Sequence, residues 1–187
     1  RDRATGKTER VSISSAGLEG DGMSLAPSIS ADGRYVAFVS HATNLVPGDT
    51  NRRSDIFVRD RLAGVTEIVS VSSTGAQISY NCDGPSISAD GRFVSFVSNA
   101  TNLTNIGSDG GVYLLDTIDG SVQKLASSSF DANLSGDGQQ VAIITFEALV
   151  PEDTNNNVDV YILDRPSGKY YQASKSDSGI AANQQSF

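Results

Sequence analysis

The stretch "PSISADGRYVAFVS" runs from Pro27 to Ser40, and "PSISADGRFVSFVS" runs from Pro85 to Ser98. Twelve of the fourteen positions are identical, and the two changes, Tyr35 to Phe93 and Ala37 to Ser95, keep the size class. Self-similarity at this scale marks a repeat architecture, in which one supersecondary unit is stacked on copies of itself. The Asp-Gly pair sets the phase: it stands at Asp32, Asp90 and Asp137, at intervals of 58 and 47 residues. A second landmark keeps step with it, an aspartate followed four residues later by glycine: "DRATG" at Asp2, "DRLAG" at Asp60, "DTIDG" at Asp116 and "DRPSG" at Asp164.

Each unit reads as four short strands. In the first complete unit "PSIS" (27–30) is followed by the turn "ADGR", where glycine accepts a positive φ and aspartate bonds nearby backbone amides. The β-branched and aromatic run "YVAFVS" reads as a buried strand. A long polar connection leads to "DIFVRD" (55–60), the "DRLAG" turn and "TEIVSVS" (66–72). The segments "RFVSFVS", "GVYLLD" and "SVQKLAS" repeat the scheme, then "QVAIIT", "DVYILD" and "YYQAS". No segment has sustained helical spacing. The expected class is all-β: a β-propeller of four-stranded antiparallel blades, with three whole blades and the tail of another. The expected division is 1–22 for the end of one blade, 23–80 and 81–130 for two blades, and 131–187 for a blade plus connector. Because Arg1-Asp2 aligns with Arg59-Asp60, the chain is expected to be a piece of a larger propeller, or to be completed by a further chain.

The totals exclude several functions. With 187 residues and a net charge of -8, the chain has no basic stripe for phosphates, so nucleic acid is not an expected partner. No apolar run approaches the roughly 18 residues of a membrane helix, so membrane insertion is not expected either. The single Cys82 has no partner for a disulfide or a zinc site.

"PSISADGRYVAFVS…NLVPGDTN…SDIFVRDRLAGVTEIVS" resembles the WD-like repeat of TolB-type β-propellers along essentially the whole chain; the last unit, "NLSGDGQQVAII", departs from it by lacking the Pro and the Arg. The resemblance implies a bacterial protein, periplasmic or secreted. It also implies a non-enzymatic role in binding another protein or subunit within an envelope or surface assembly. A propeller domain of a larger hydrolase or lyase is the alternative it leaves open. A fold does not by itself transfer an activity.

Chemistry is sparse. The connection between second and third strands reads "ATNLVPGDTNRRSDIFV" in one unit and "EALVPEDTNNNVDVYIL" in another. These place Asp49, Asn51, Asp55 and Asp153, Asn155, Asp159 in one pattern. Oxygen-rich loops of this kind suit calcium, which takes six to eight hard ligands. The same residues equally suit turn capping, because Asp and Asn bond backbone amides in loops. The middle unit has Gly107, Asp109 and Gly111 instead, too few carboxylates for a cation. Three sequons, at Asn99, Asn102 and Asn133, are expected by composition alone. His41, the only histidine, has Asn99 and Phe146 as counterparts, and no Gly-x-Ser-x-Gly elbow accompanies it, so catalysis is not expected. The loops Val46–Ser54, Thr104–Gly110 and Pro151–Val158 are the expected recognition face, since loop variation on a rigid frame carries specificity.

Overall fold

Every apolar run named above is a strand in the computed structural model, which describes residues 1–72, 74–104 and 110–176. The first sheet holds β1 (Ser24–Ile29), β2 (Tyr35–Ser40), β3 (Asp55–Asp60) and β4 (Val65–Ile68). The second holds β5 (Cys82–Ile87), β6 (Phe93–Ser98), β7 (Gly111–Asp116) and β8 (Val122–Ser127). The third holds β9 (Ser129–Leu134), β10 (Gln140–Thr145), β11 (Asp159–Asp164) and β12 (Lys169–Gln172). Each sheet is antiparallel with strands in sequence order, and the described residues contain no helix. The all-β expectation of four-stranded blades holds.

Alternation along the strands explains the stacking. In β2, Ala37 and Val39 point to one face and Val36 and Phe38 to the other, and all four are buried. The first face joins Ile56 and Val58 against Val94, Phe96, Tyr113 and Leu115 of the second blade. The far side of the second blade presents Val112 and Leu114 to Val141, Ile143 and Leu163 of the third. Phe96 and Tyr113 stack at 5.9 Å between centroids. A fully buried aromatic or aliphatic side chain contributes about 1.5–3 kcal/mol, so the blades are held flank to flank by their apolar faces. β5 touches both β1 and β9, and the fourth strands form the opposite edge of each sheet.

Two strand boundaries differ from the sequence reading. β1 begins at Ser24, because a bulge between Leu25 and Ser28 lets the ladder resume on the other side of Pro27. Its hinge is Ala26 at φ 46, matched by Gly84 at φ 57 before Pro85. β4 ends at Ile68 and does not reach Ser72: the Ser70 hydroxyl turns inward to Asp55 and accepts the Ile56 N–H, which stops the ladder. Of the expected blade tail in 1–22, the turn at Asp2 is present, with the Ala4 N–H on Asp2 Oδ1 at 2.8 Å. The first named strand among the described residues begins at Ser24.

Candidate binding face and blade joints

An up-and-down sheet has two ends. At the turn end lie the β1–β2 and β3–β4 turns and their copies; at the loop end lie the β2–β3 loops and the connectors between blades.

The Asp-Gly turns share one local circuit. The Ser30 hydroxyl donates to Asp32 Oδ1 (2.6 Å), which also accepts the Arg34 N–H (2.9 Å), while Ser30 Oγ accepts the Tyr35 N–H (2.9 Å). Ser88 with Asp90 and Ser135 with Asp137 repeat it. These bonds, the serine hydroxyl first, hold all three carboxyls below their usual range. Arg34 then pairs with Asp60 at 2.7 Å and Arg92 with Asp116 at 2.7 Å, tying second strand to third. Gln139 stands where the third blade would need that arginine.

The repeated stretch also joins one blade to the next. Ser28 Oγ accepts the Ile87 N–H (3.2 Å), and Ser86 Oγ accepts the Leu134 N–H (3.0 Å). The Ala31 N–H donates to the Ala89 carbonyl (3.0 Å), and the Ala89 N–H to the Gly136 carbonyl (2.7 Å). The Tyr35 ring lies against Gly91 of the next turn, where a Cβ would land inside it; Phe93 lies against Gly138 in the same way. Even the Ala37-to-Ser95 change has a use, for the Ser95 hydroxyl donates to the Ala132 carbonyl at 3.2 Å.

At the loop end four of the six candidate calcium residues are hydrogen-bonded in two side-chain pairs. Asn51 Nδ2 donates to Asp55 Oδ2 (2.9 Å) while its Oδ1 accepts the Arg53 N–H (2.8 Å). Asn155 does the same with Asp159 (3.1 Å) and the Asn157 N–H (2.7 Å). The hydroxyls of Ser70 and Ser174 donate to the other oxygens of these two aspartates. Asp49 Oδ1 accepts from Gln77 Nε2 (3.1 Å), and Asp153 Oδ2 accepts the Tyr161 hydroxyl. Burial pushes the Asp49 and Asp55 carboxyls up. The structure thus brings Asn51 to Asp55 and Asn155 to Asp159 by side chain, and Asp153 Oδ1 also accepts the Asn155 N–H (3.3 Å). Among the described residues no three His, Cys, Asp or Glu side chains group as metal ligands. Asp55 is missing from the middle blade, where Gly111 occupies the same ladder position and faces Ser127 past a register shift between Val112 and Tyr113. Gly107 and Asp109 lie outside the described residues, as does most of the Thr104–Gly110 loop.

Sequence reasoning missed the residues that fasten these loops. Asn44 Nδ2 donates to the Glu19 carbonyl (2.9 Å) while its Oδ1 accepts the Asp21 N–H (3.0 Å). Asn102 makes the same two bonds with Gln77 (2.9 Å) and Ser79 (3.2 Å). Gln77 is the hub: its side chain holds Asp49 and Thr50 of the first blade's loop, and its carbonyl holds the second blade's Asn102. The available signal was the "ATNL" copied at the 58-residue offset. The sequon side chain of Asn102 is therefore already committed. His41 is exposed beside β2, and Cys82 is buried, with desolvation raising its thiol.

No protein-family model and no curated protein matches the chain. Solved structures do. A protein described as TolB from Agrobacterium tumefaciens matches with a TM-score of 0.54 at 21% identity, over 80% of this chain and 48% of that one. The β-propeller domain of the Trilobed protease from Pyrococcus furiosus matches at 0.52 and 14% identity, over 83% of this chain and 43% of that one. The fold is that of a β-propeller. An acylaminoacyl peptidase from Pyrococcus horikoshii is similar at 0.52 and 16% identity, over 83% of this chain and 25% of that one. The propeller described here thus spans about half the length of the first two structures, or less. No helix among the described residues is long and apolar enough to cross a membrane.

Proposed function

We propose that the chain is a non-enzymatic, protein-binding propeller of TolB-like type, working within a larger exported protein or an envelope or surface assembly in the periplasm or outside the cell. One observation carries this reading. The loops "DTNRRSD" (49–55) and "DTNNNVD" (153–159) keep the residues of the internal lock and change only the three between them. Ser54 and Val158 of each trio are buried, so the outward variation falls on Arg52 and Arg53 in one blade and Asn156 and Asn157 in the other. A fixed frame with variable tips is how a scaffold presents recognition residues. Arg53 also lies 6.0 Å over the half-exposed Tyr80 ring, and Arg and Tyr are the residue types that dominate binding hot spots.

Chemical crosslinking in an envelope fraction tests the reading, comparing wild type with the triple variant Arg52→Glu, Arg53→Glu, Tyr80→Ala. A discrete crosslinked protein that disappears with the variant, at unchanged circular dichroism, is the expected result. An identical crosslinking pattern overturns the assignment of this face. The likeness to the peptidase favours one second reading, a propeller domain attached to a hydrolase or lyase. Hydrolytic activity of the complete gene product, abolished by changing residues outside this chain, would establish it.

A further inference from the structure

Three residues hold the same place in the three fourth strands, opposite the third-strand residue just before the turn aspartate: Thr66, Val122 and Tyr170, each six residues after the aspartate of its turn. All three face the preceding segment. The Thr66 hydroxyl donates to the Ile13 carbonyl at 2.6 Å. The Tyr170 hydroxyl spans the joint between second and third blades and donates to the Leu125 carbonyl at 2.6 Å. Val122 has no hydroxyl and packs against the apolar cluster of its joint, where a groove of about 750 Å³ stands open between the first and second blades.

The floor of the groove is apolar, with Val58, Val69 and Leu115, and one wall is Val65 and Glu67 of β4 with Val71 beyond its end. Leu62 and Ile118, the tips of the two flanking turns, are 79% and 74% exposed. The charge is one-sided. Arg92 in the lining is neutralised by Asp116, whereas Glu67 is exposed and enters no ion pair among the described residues. From Val65 to Val71 an extended chain covers about 20 Å, at ~3.3 Å per residue.

We propose that this groove is a docking site for an extended segment of another polypeptide, with aliphatic side chains at alternate positions and lysine or arginine between them. Aliphatic side chains enter the floor between the blades and a basic side chain meets Glu67. The site lies at the turn end and is separate from the loop face assigned above.

The test is fluorescence anisotropy of the whole chain with two labelled hexapeptides, Lys-Val-Lys-Val-Lys-Val amide and its twin Glu-Val-Glu-Val-Glu-Val amide. The basic peptide is expected to bind at least tenfold tighter. Val122→Tyr, which copies the third blade's closure without changing charge, is expected to weaken that binding at least tenfold. Equal binding of the two peptides overturns the proposal. So does undiminished binding to folded Val122→Tyr, which would trace the affinity to the overall charge of -8. Should Val122→Tyr fail to fold, the exposed Glu67→Lys decides: a narrowed or reversed preference between the twins supports the site, and an unchanged preference overturns it. The Arg52, Arg53 and Tyr80 variant leaves peptide binding intact, so the two sites fail separately.

Discussion

The joint between the first and second blades and the joint between the second and third share an inner half and differ in their outer half. Close to the first strands the bonds are copies: a serine hydroxyl accepts the next blade's N–H, an alanine N–H reaches the next turn's carbonyl, and an aromatic ring lies on the next turn's glycine. On the loop side, Val69–Asn81 run between β4 and β5, whereas Ser128 alone separates β8 from β9. The long connector folds into its own small hairpin, with a bridge from Val71 to Gln77, and the same bridge joins Ile13 to Glu19 in the N-terminal segment. Where the connector is short, the asparagine that would bind it is also missing: the third blade has Ala148 in place of Asn44 and Asn102, and Glu147 accepts the Ser127 N–H instead. Inner joints are fixed by the repeat, while outer joints vary as matched sets of residues.

The largest effect should come from emptying the connector. Ile78 is 1% exposed and packs with Ala100 and Leu103 in the first joint, where the second joint has no counterpart. Ile78→Ala is expected to cost about 2–5 kcal/mol through lost burial and a residual cavity, read by urea denaturation. A loss below about 1 kcal/mol would mean that the connector decorates the joint and does not hold it.

The shared inner half is probed by Gly91→Ala and Gly138→Ala. Each glycine has a left-handed φ, 78 and 66, and faces an aromatic ring. Gly120, with φ 71 and no atom within 4 Å of an added Cβ, is the control. Gly120→Ala should cost about 1–2 kcal/mol for conformation alone. The two joint variants should each exceed it by about 1–3 kcal/mol, the usual cost of overpacking. If all three lose the same amount, the ring contacts contribute nothing to blade stacking.

A smaller effect separates the first two blades from the third. The Arg34 guanidinium, together with the Leu62 and Ala63 amides, lowers the Asp60 carboxyl from an ordinary 3.8 to about 2. A depressed folded pKa means stability that is present above about pH 4 and lost as the pH falls toward 2. Arg34 is well exposed, so solvent screening keeps the pair's contribution small. Asp60→Asn should lower the melting temperature at pH 7 and flatten its fall between pH 4 and pH 2. Among the described residues no arginine pairs with Asp164 of the third blade. Parallel acid curves for wild type and Asp60→Asn would remove the bridge from the account.

Much of this architecture was legible because it is repeated. The Asp-Gly pairs and the Asp-x-x-x-Gly turns gave the strand phase, and β2, β3, β7 and β11 match their segments residue for residue. The missed features depend on partners distant in sequence. Nothing local to Asn44 shows that it will bind the backbone of Glu19 and Asp21, or that Gln77 will serve two loops. β4 stops at Ile68 although "VSVS" continues the alternation, because Ser70 is drawn to a buried carboxylate that periodicity does not reveal. The groove beside Val122 is visible only by comparing three joints, and no single copy of the repeat contains it.

Comparison of the blades also bears on calcium, where the smallest effect is expected. A cation in the loops would require the Asn51 and Asn155 oxygens, yet these accept the Arg53 and Asn157 N–H groups while their NH₂ groups point at Asp55 and Asp159. An amide donor stands where a cation would need an acceptor. The middle blade has Gly111 in place of the aspartate and so has no such lock. Melting with 1 mM calcium and with excess chelator should therefore give the same midpoint, in wild type and in Asp55→Asn alike. Ion binding to the folded state alone would raise the midpoint with calcium concentration, and a rise absent from Asp55→Asn would make the loop lock a metal site after all.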